Sequence, residues 1–450
     1  MDTVQADAAV CDFQTPNRSG PLQRLILRSV VVLGVAVFCT IGIAQEPAQE
    51  LTPPTLAVRI DQLLALETDQ LTAPKAEPGV LLRRLSLDLR GVVPTGEELD
   101  AFLADQASDT RLEHWSAHWS VWVGRFLADP LCDEHLVSFL DRTLMLRRPN
   151  TQVDRAAWLQ YLREQVAADV PLDAIAKQLL YSPWWNREHR PAQKFFLDRS
   201  GDPNLVARDI GRVFLGRDMQ CAQCHDHPIV ADYLQSDYHG LLAYVAPGYA
   251  LVRKEGDKQI TLQAERAGSD LSFESVFVKG TQHRTGARMP DDTAIDEPFF
   301  LPGDEYQVAP ADNVKSVPKF SRRAKLAELA TNGTNQAFNQ NIANRLWAHM
   351  FGRGLVHPLD LHHPDNPATD PELLQLLGER FAAMNYNIQT FLREIALSET
   401  YQRSFDVPAN LASVAVQATA QSAELKLQLS PLEQAAKESA DVYTRALEVW

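Results

Sequence analysis

Cysteine is scarce in this chain, five residues in 450. Cys11 and Cys39 fall in an N-terminal stretch that reads as a leader, which leaves Cys132, Cys221 and Cys224. Three is an odd number, and so few in so long a chain exclude a disulfide-built scaffold. Basic residues are also in deficit, 43 Lys and Arg against 58 Asp and Glu, for a formal charge of −15. That surplus repels a phosphate backbone and argues against nucleic acid as a partner. No apolar run reaches the roughly 20 residues of a confident spanning helix. The text holds no nucleophile elbow, no phosphate loop and no repeat of fixed period. Carboxylates are plentiful, but no spacing singles out the acid/base pair of a glycan hydrolase, because such a pair is set in space. Hydrophobic residues make up 45%, enough to build a sizeable core over two or three domains.

The N-terminus reads as an export signal. Arg18, Arg24 and Arg28 precede the apolar stretch Val30 to Ala44, and Gly42 and Ala44 stand at −3 and −1 of a cleavage before Gln45. A basic region, an apolar region and a small-x-small site make a secretory signal over residues 1–44. An uncleaved signal anchor is the alternative, and would be the one attachment to a membrane. Both place the rest of the chain outside the cytoplasm, in the periplasm or at the cell surface. Residues 45–54 form a polar, proline-containing linker.

The fold class expected is mainly α: two helical regions, 55–247 and 318–450, with a small β-rich, loop-rich insertion at 248–317. In the first region Gly91 stops a helix, and Thr95 with Glu98 forms a capping box that starts the next. Trp115, Trp119 and Trp122 share one helical stripe, which reads as core rather than as a cofactor box. Helices are also expected over 156–170, 172–182 and 203–218. Short alternating runs such as LSFESVFVKG mark the insertion. Helical text resumes at Ser321 and runs through 337–351 and 371–384, with Gly352 as a left-handed stop and Thr369 as a cap for the helix at Pro371. The last two helices are expected over 388–402 and after Leu425.

One motif carries chemistry: Cys221-Ala-Gln-Cys224-His225. Two thiols one turn apart can add to the two vinyl groups of a porphyrin, and the next residue then offers its imidazole to the iron. This predicts covalent haem c and a redox or electron-transfer role, with a redox protein as partner. Zinc is the lesser alternative, because Cys221, Cys224, His225 and His227 supply four ligands in seven residues, although one short segment seldom wraps a tetrahedron. A thioredoxin-like dithiol fits less well, since the surrounding text is helical. Without haem, the chain would be a metal-binding, structural or interaction module.

The sixth iron position has several candidates. Met289 lies 64 residues after His225 in a Gly- and Pro-flanked loop, where a thioether would raise the potential. His118 and His239 are further candidates, while His227 follows too closely to reach the opposite face. His114 and His118, four residues apart, form either a chelating pair or an ordinary helix-surface pair. Arg345 is read either as a clamp on a haem propionate or as part of a helix-capping salt bridge.

Longer stretches carry a resemblance. RRLSLDLRGVVPTGEELDAFLAD, HWSAHWSVW and FLGRDMQCAQCHDHPIVADYLQSDYHGLLAYV are similar to the first of two exported bacterial domains found mostly in planctomycetes, the cytochrome-c-associated family of unknown function DUF1549. FNQNIANRLWAHMFGRGLVHPLD, NPATDPELLQLLGERF and FLREIALSETYQRS resemble the second, DUF1553. The resemblance spans about 55–405. It implies an exported protein with a cytochrome-c-type signature, often beside electron-transfer or polysaccharide-degradation modules, and names no substrate. His239 departs from the Tyr-Arg or Tyr-Tyr usual there. The second domain usually runs past Trp450, so a truncated or degenerate C-terminal half is expected.

Overall fold

Asp–Pro pairs open three of the helices, and each does so for the same physical reason. The aspartate side chain accepts from a backbone amide of the first turn, and the proline occupies a position whose N–H would be unpaired in any case. Asp129–Pro130, Asp202–Pro203 and Asp370–Pro371 all follow this rule. In a computed structural model the described residues are 54–67, 73–108, 112–182, 190–291, 293–311, 314–406 and 409–449. The leader and the linker up to residue 53 lie outside them.

The order begins with α1 (Leu56–Glu67), α2 (Pro78–Arg90), α3 (Gly96–Ser108), α4 (Leu112–Leu127), α5 (Pro130–Met145), α6 (Arg155–Ala167) and α7 (Leu172–Leu180). It continues with α8 (Lys194–Leu197), α9 (Pro203–Phe214) and α10 (Gln235–Val245). Six short strands follow: β1 (Gly248–Glu255), β2 (Lys258–Glu265), β3 (Leu271–Phe273), β4 (His283–Thr285), β5 (Tyr306–Val308) and β6 (Val317–Pro318). The chain then returns to helix in α11 (Arg322–Ala330), α12 (Gln336–Phe351), α13 (Pro371–Ala383), α14 (Ile388–Leu397) and α15 (Ala409–Val449). The strands form three separate antiparallel pairs, β1–β2, β3–β4 and β5–β6. Mainly α therefore describes the chain, and the sheets are too small to carry a core of their own.

The helices before and after the strands share one hydrophobic core. The Trp119 indole on α4 donates to the Ala396 carbonyl on α14 at 2.8 Å; Trp119 and Trp122 are 1% and 3% exposed, while Trp115 is half-buried at the edge of the same core. The Asp61 carboxylate on α1 accepts from the amides of Glu399 and Thr400, both at 2.8 Å. Arg345 on α12 reaches the Arg212 carbonyl on α9 at 2.6 Å. Among the described residues no helix is long and apolar enough to cross a membrane.

Most expected punctuation is present. The Thr95 amide donates to the Glu98 carboxylate and the Glu98 amide to the Thr95 hydroxyl, at 2.9 and 3.2 Å. Gly91 and Gly352 end their helices in the left-handed region. Other details differ: α9 stops at Phe214 and α14 at Leu397, short of the expected 218 and 402. The cap of α13 is Asp370, whose Oδ1 accepts from the Leu373 amide, while Thr369 bonds back to the Leu355 carbonyl. α5 has no counterpart in the sequence reading, and α15 begins at Ala409 rather than after Leu425.

Candidate functional site

The Cys–His motif sits in the connection between α9 and α10. α9 stops at Phe214, and Gly216 then turns the chain at φ 69°, where an added Cβ would lie 2.6 Å from the His362 ring. Cys221, Ala222 and Gln223 make one 3-10 turn. Its single buried side chain is Ala222, which is fully covered. The alanine anchors the turn in the core, and both flanking thiols stand exposed and unbonded to each other.

The carbonyls of the turn are held from two sides. Cys224 O accepts from the Val276 amide at 3.0 Å. Gln223 O accepts from His239 Nε2 at 3.2 Å and from Gln235 Nε2 at 3.5 Å. A carbonyl only accepts, so His239 carries its proton on Nε2. Burial lowers the pKa of this imidazole, which favours that neutral form.

The same reasoning fixes His225. Its Nδ1 lies 2.6 Å from the Asp226 carbonyl, so Nδ1 is the donor and the neutral ring keeps its lone pair on Nε2. Ligating imidazoles are characteristically oriented by such an N–H to a carbonyl or carboxylate. Asp226 is itself held, because its Oδ1 accepts from the Gln235 amide at 2.8 Å. His227 is used differently: its Nδ1 accepts from the amides of Val230 and Ile229 at 2.9 and 3.3 Å, which closes a tight loop. His227 therefore presents no Nδ1 lone pair to a metal. Among the described residues no group of three or more His, Cys, Asp or Glu side chains is placed to hold a metal ion.

Apolar side chains stand in the open around the turn. Ile229 is 81% exposed and Phe277 is 76% exposed. Val276 and Val278 are exposed as well, and the Phe277 ring centroid is 4.7 Å from that of His225. The sequence pointed to the thiols and His225, and to His239 only as a candidate iron ligand rather than as a donor to the turn, but not to this rim or to Gln235. The alternation in LSFESVFVKG was the only available signal for the rim.

The remaining candidates are placed elsewhere. Met289 is 3% exposed and lies within the core, its thioether covered by protein, whereas the two thiols are at the surface. Arg345 is buried, with Nε on Asn341 Oδ1 at 3.0 Å and Nη2 on the Arg212 carbonyl. Among the described residues it forms no ion pair within 4 Å, and the cap of its helix is Asn335. Arg345 thus ties α9 to α12. His118 is 8% exposed and stacks on Phe102 at 4.8 Å. His114 stacks parallel to it at 6.2 Å.

The loop closed by His227 leads to a cleft of about 480 Å³ lined by Arg217, Asp232, Gln340, His362, His363 and Leu374. The Tyr233 carbonyl accepts from the His227 amide, and its hydroxyl donates to the His362 carbonyl at 2.9 Å. Burial holds His362 down to about 4, so it is neutral at ordinary pH.

Residues 59–248 match the model of PSCyt2, a protein family of unknown function (DUF1549), and residues 322–433 match that of PSD1, a second family of unknown function (DUF1553). The chain thus carries one stretch similar to each family, in that order along the sequence. No curated protein and no solved structure is significantly similar to it. The PSCyt2 stretch holds the whole Cys–His turn with His239 and Gln235, whereas the exposed rim at Val276 to Val278 falls between the two stretches. The 480 Å³ cleft takes Arg217 and Asp232 from PSCyt2 and His362, His363 and Leu374 from PSD1.

Proposed function

We propose that this PSCyt2–PSD1 protein is an exported c-type haem protein with a redox role. Cys221 and Cys224 would hold the porphyrin by thioether bonds, and Nε2 of His225 would be the proximal ligand. Bound haem supplies a one-electron centre whose potential depends on axial ligation, burial and hydrogen bonding. The observation that carries this reading is the His225 Nδ1–Asp226 carbonyl bond, which leaves Nε2 as the ring's electron-pair donor. Three features of the chain support it further. The thiols are exposed, the backbone of the turn is pinned, and Ile229, Val276 and Phe277 supply an apolar rim suited to a porphyrin. On this reading residues 248–317 are an insertion that brings the rim to the motif, the leader sends the chain out of the cytoplasm, and electrons pass to a separate redox protein.

The test is spectroscopic. Full-length protein matured with a c-type cytochrome assembly system should show a Soret band that survives acid-acetone extraction and a pyridine haemochrome of c type. Cys221→Ala combined with Cys224→Ala should abolish both. Colourless protein after such maturation overturns the haem reading, and stoichiometric zinc in that sample would favour a metal-bound module instead.

A further inference from the structure

A group of arginines, sharing no residue with the Cys–His turn, surrounds the end of α5. Arg142, Leu146, Arg147, Arg148, Pro149 and Arg212 line an open hollow of about 580 Å³, a size common among small-molecule sites. Every polar side chain in that lining is a guanidinium, which donates and cannot accept. The chain as a whole carries −15, so this is a cationic patch on an acidic protein.

The protein neutralises only part of that charge. Arg148 Nε and Nη2 both take Asp209 Oδ2, at 2.7 and 2.6 Å, but the same carboxylate also serves Arg199 and Arg208. Arg212 pairs with Asp360 at 2.8 Å and with Asp218 at 3.6 Å. Arg142 and Arg147 are exposed, and among the described residues neither side chain forms an ion pair or a hydrogen bond. Asp141, beside Arg142 in sequence, is turned to Arg155 and Trp158. Even with Arg208 left aside, Arg142, Arg147, Arg148, Arg199 and Arg212 stand against Asp209, Asp218 and Asp360, an excess of two positive charges.

The backbone is shaped around the patch. Leu146 and Arg147 both take left-handed φ, 50° and 57°, which residues with a Cβ seldom adopt. A second such pair, Asn385 and Tyr386, is anchored by the Tyr386 hydroxyl on Asn339 at 2.7 Å, and Arg147 has no anchor of that kind. The turn also covers the last carbonyls of α5, which would otherwise repel an anion. Arg142 O accepts from the Leu146 amide at 3.1 Å, Met145 O from the Arg148 amide at 2.9 Å and Leu144 O from Arg199 Nη2 at 3.2 Å.

We infer that this hollow binds a phosphoryl dianion, either inorganic phosphate or the phosphoryl end of a monoester. Its two negative charges match the excess. Its terminal oxygens accept from several guanidinium forks at once, more than the two oxygens of a carboxylate can serve. The open mouth leaves the organic part of an ester in water. This inference stands apart from the haem reading.

Calorimetric titration of the full chain at pH 8 and low ionic strength tests it, with inorganic phosphate, glycerol 2-phosphate and methyl sulfate as separate probes. A phosphoryl dianion should bind saturably at one site, about tenfold more tightly than the singly charged methyl sulfate. Tighter binding of glycerol 2-phosphate marks a monoester as the source, and equal or tighter binding of phosphate marks the free ion. Arg142→Gln and Arg147→Gln should each weaken that binding about tenfold. Arg83→Gln, which removes an exposed charge from α2, should leave it unchanged. Should the Arg147 variant fail to fold, protection of Arg142 and Arg147 from phenylglyoxal by the same anion, read by peptide mass on the wild-type chain, takes its place. Absence of saturable binding, equal affinity for methyl sulfate, or an equal loss in Arg83→Gln overturns the inference.

Discussion

The Tyr401 hydroxyl donates a 2.7 Å hydrogen bond to Oδ2 of Asp88, joining residues 313 positions apart. Arg84 binds the same C-terminal loop, with Nη1 on the carbonyls of Tyr401 and Arg403 at 2.5 and 2.9 Å. α2 and the end of the second helical region are therefore stitched together by a buried tyrosine, a carboxylate and a guanidinium.

Asp88 makes the stability of that junction depend on pH. Burial is the main cause that lifts its pKa from 3.8 to about 6, outweighing the Tyr401 bond and Arg84. Between about pH 4 and pH 6 the folded protein keeps a proton that the unfolded chain has lost. Stability from this group should fall as pH rises across that window and level off above it. Urea midpoints at intervals from pH 4 to 7 should show the slope in wild type and its loss in Asp88→Asn. Tyr401→Phe should cost about 2 kcal/mol at neutral pH and extend the slope upward.

Glu98 behaves in the opposite sense. Hydrogen bonds from Arg90 are the largest cause that holds its carboxyl at about 2, against an ordinary 4.5. Its contribution should be complete above about pH 4.5 and disappear as pH falls through 2. Glu98→Gln should lower stability by about 2 kcal/mol at neutral pH and flatten the acid limb of a thermal-melt series.

Asn344 is fully buried and holds Val356 at two points: Nδ2 on its carbonyl at 2.9 Å and Oδ1 from its amide at 3.1 Å. Asn344→Ala would strand a buried amide and a buried carbonyl, for about 3 kcal/mol. The denaturant midpoint should drop while any c-type absorbance per folded molecule stays the same.

His225 and His227 should separate cleanly by mutation. His227→Ala removes the acceptor of two backbone amides and should cost about 1–2 kcal/mol, with faster proteolysis at Pro228 to Val230 and an unchanged haemochrome. His225→Ala should keep the loop intact and alter the axial-ligand bands of the matured protein.

Local signals were readable wherever one or two neighbouring residues decide the structure. Thr95 with Glu98, Gly91 and Gly352 each set a helix end through a reciprocal pair of bonds or a single φ value. α5 escaped because its core positions, Cys132, Leu136, Val137, Leu140 and Leu144, alternate with a dense run of charges, although Asp129–Pro130 announced its start. Thr369 lost to Asp370 as a cap because Pro371 fixes the first helical position directly after it. At the site, Cys221, Cys224 and His225 were readable from their spacing. The donors on their carbonyls were not, because Gln235, His239 and Val276 come from other elements. Arg345 shows the same limit: its chemistry suits a carboxylate, but the carbonyl that it meets lies on a helix more than a hundred residues earlier.

The shared core has a practical corollary. Dividing the gene between the two families would leave α1 and α4 without α14, and the Trp119 indole, the Asp61 carboxylate and Arg84 would each face water or nothing. Separately expressed halves should aggregate, and mixing them should restore solubility only where the two chains recombine into the original interior. Added residues should be borne in the strand-bearing connection rather than within the helices on either side, because there the polypeptide can lengthen without opening the inside.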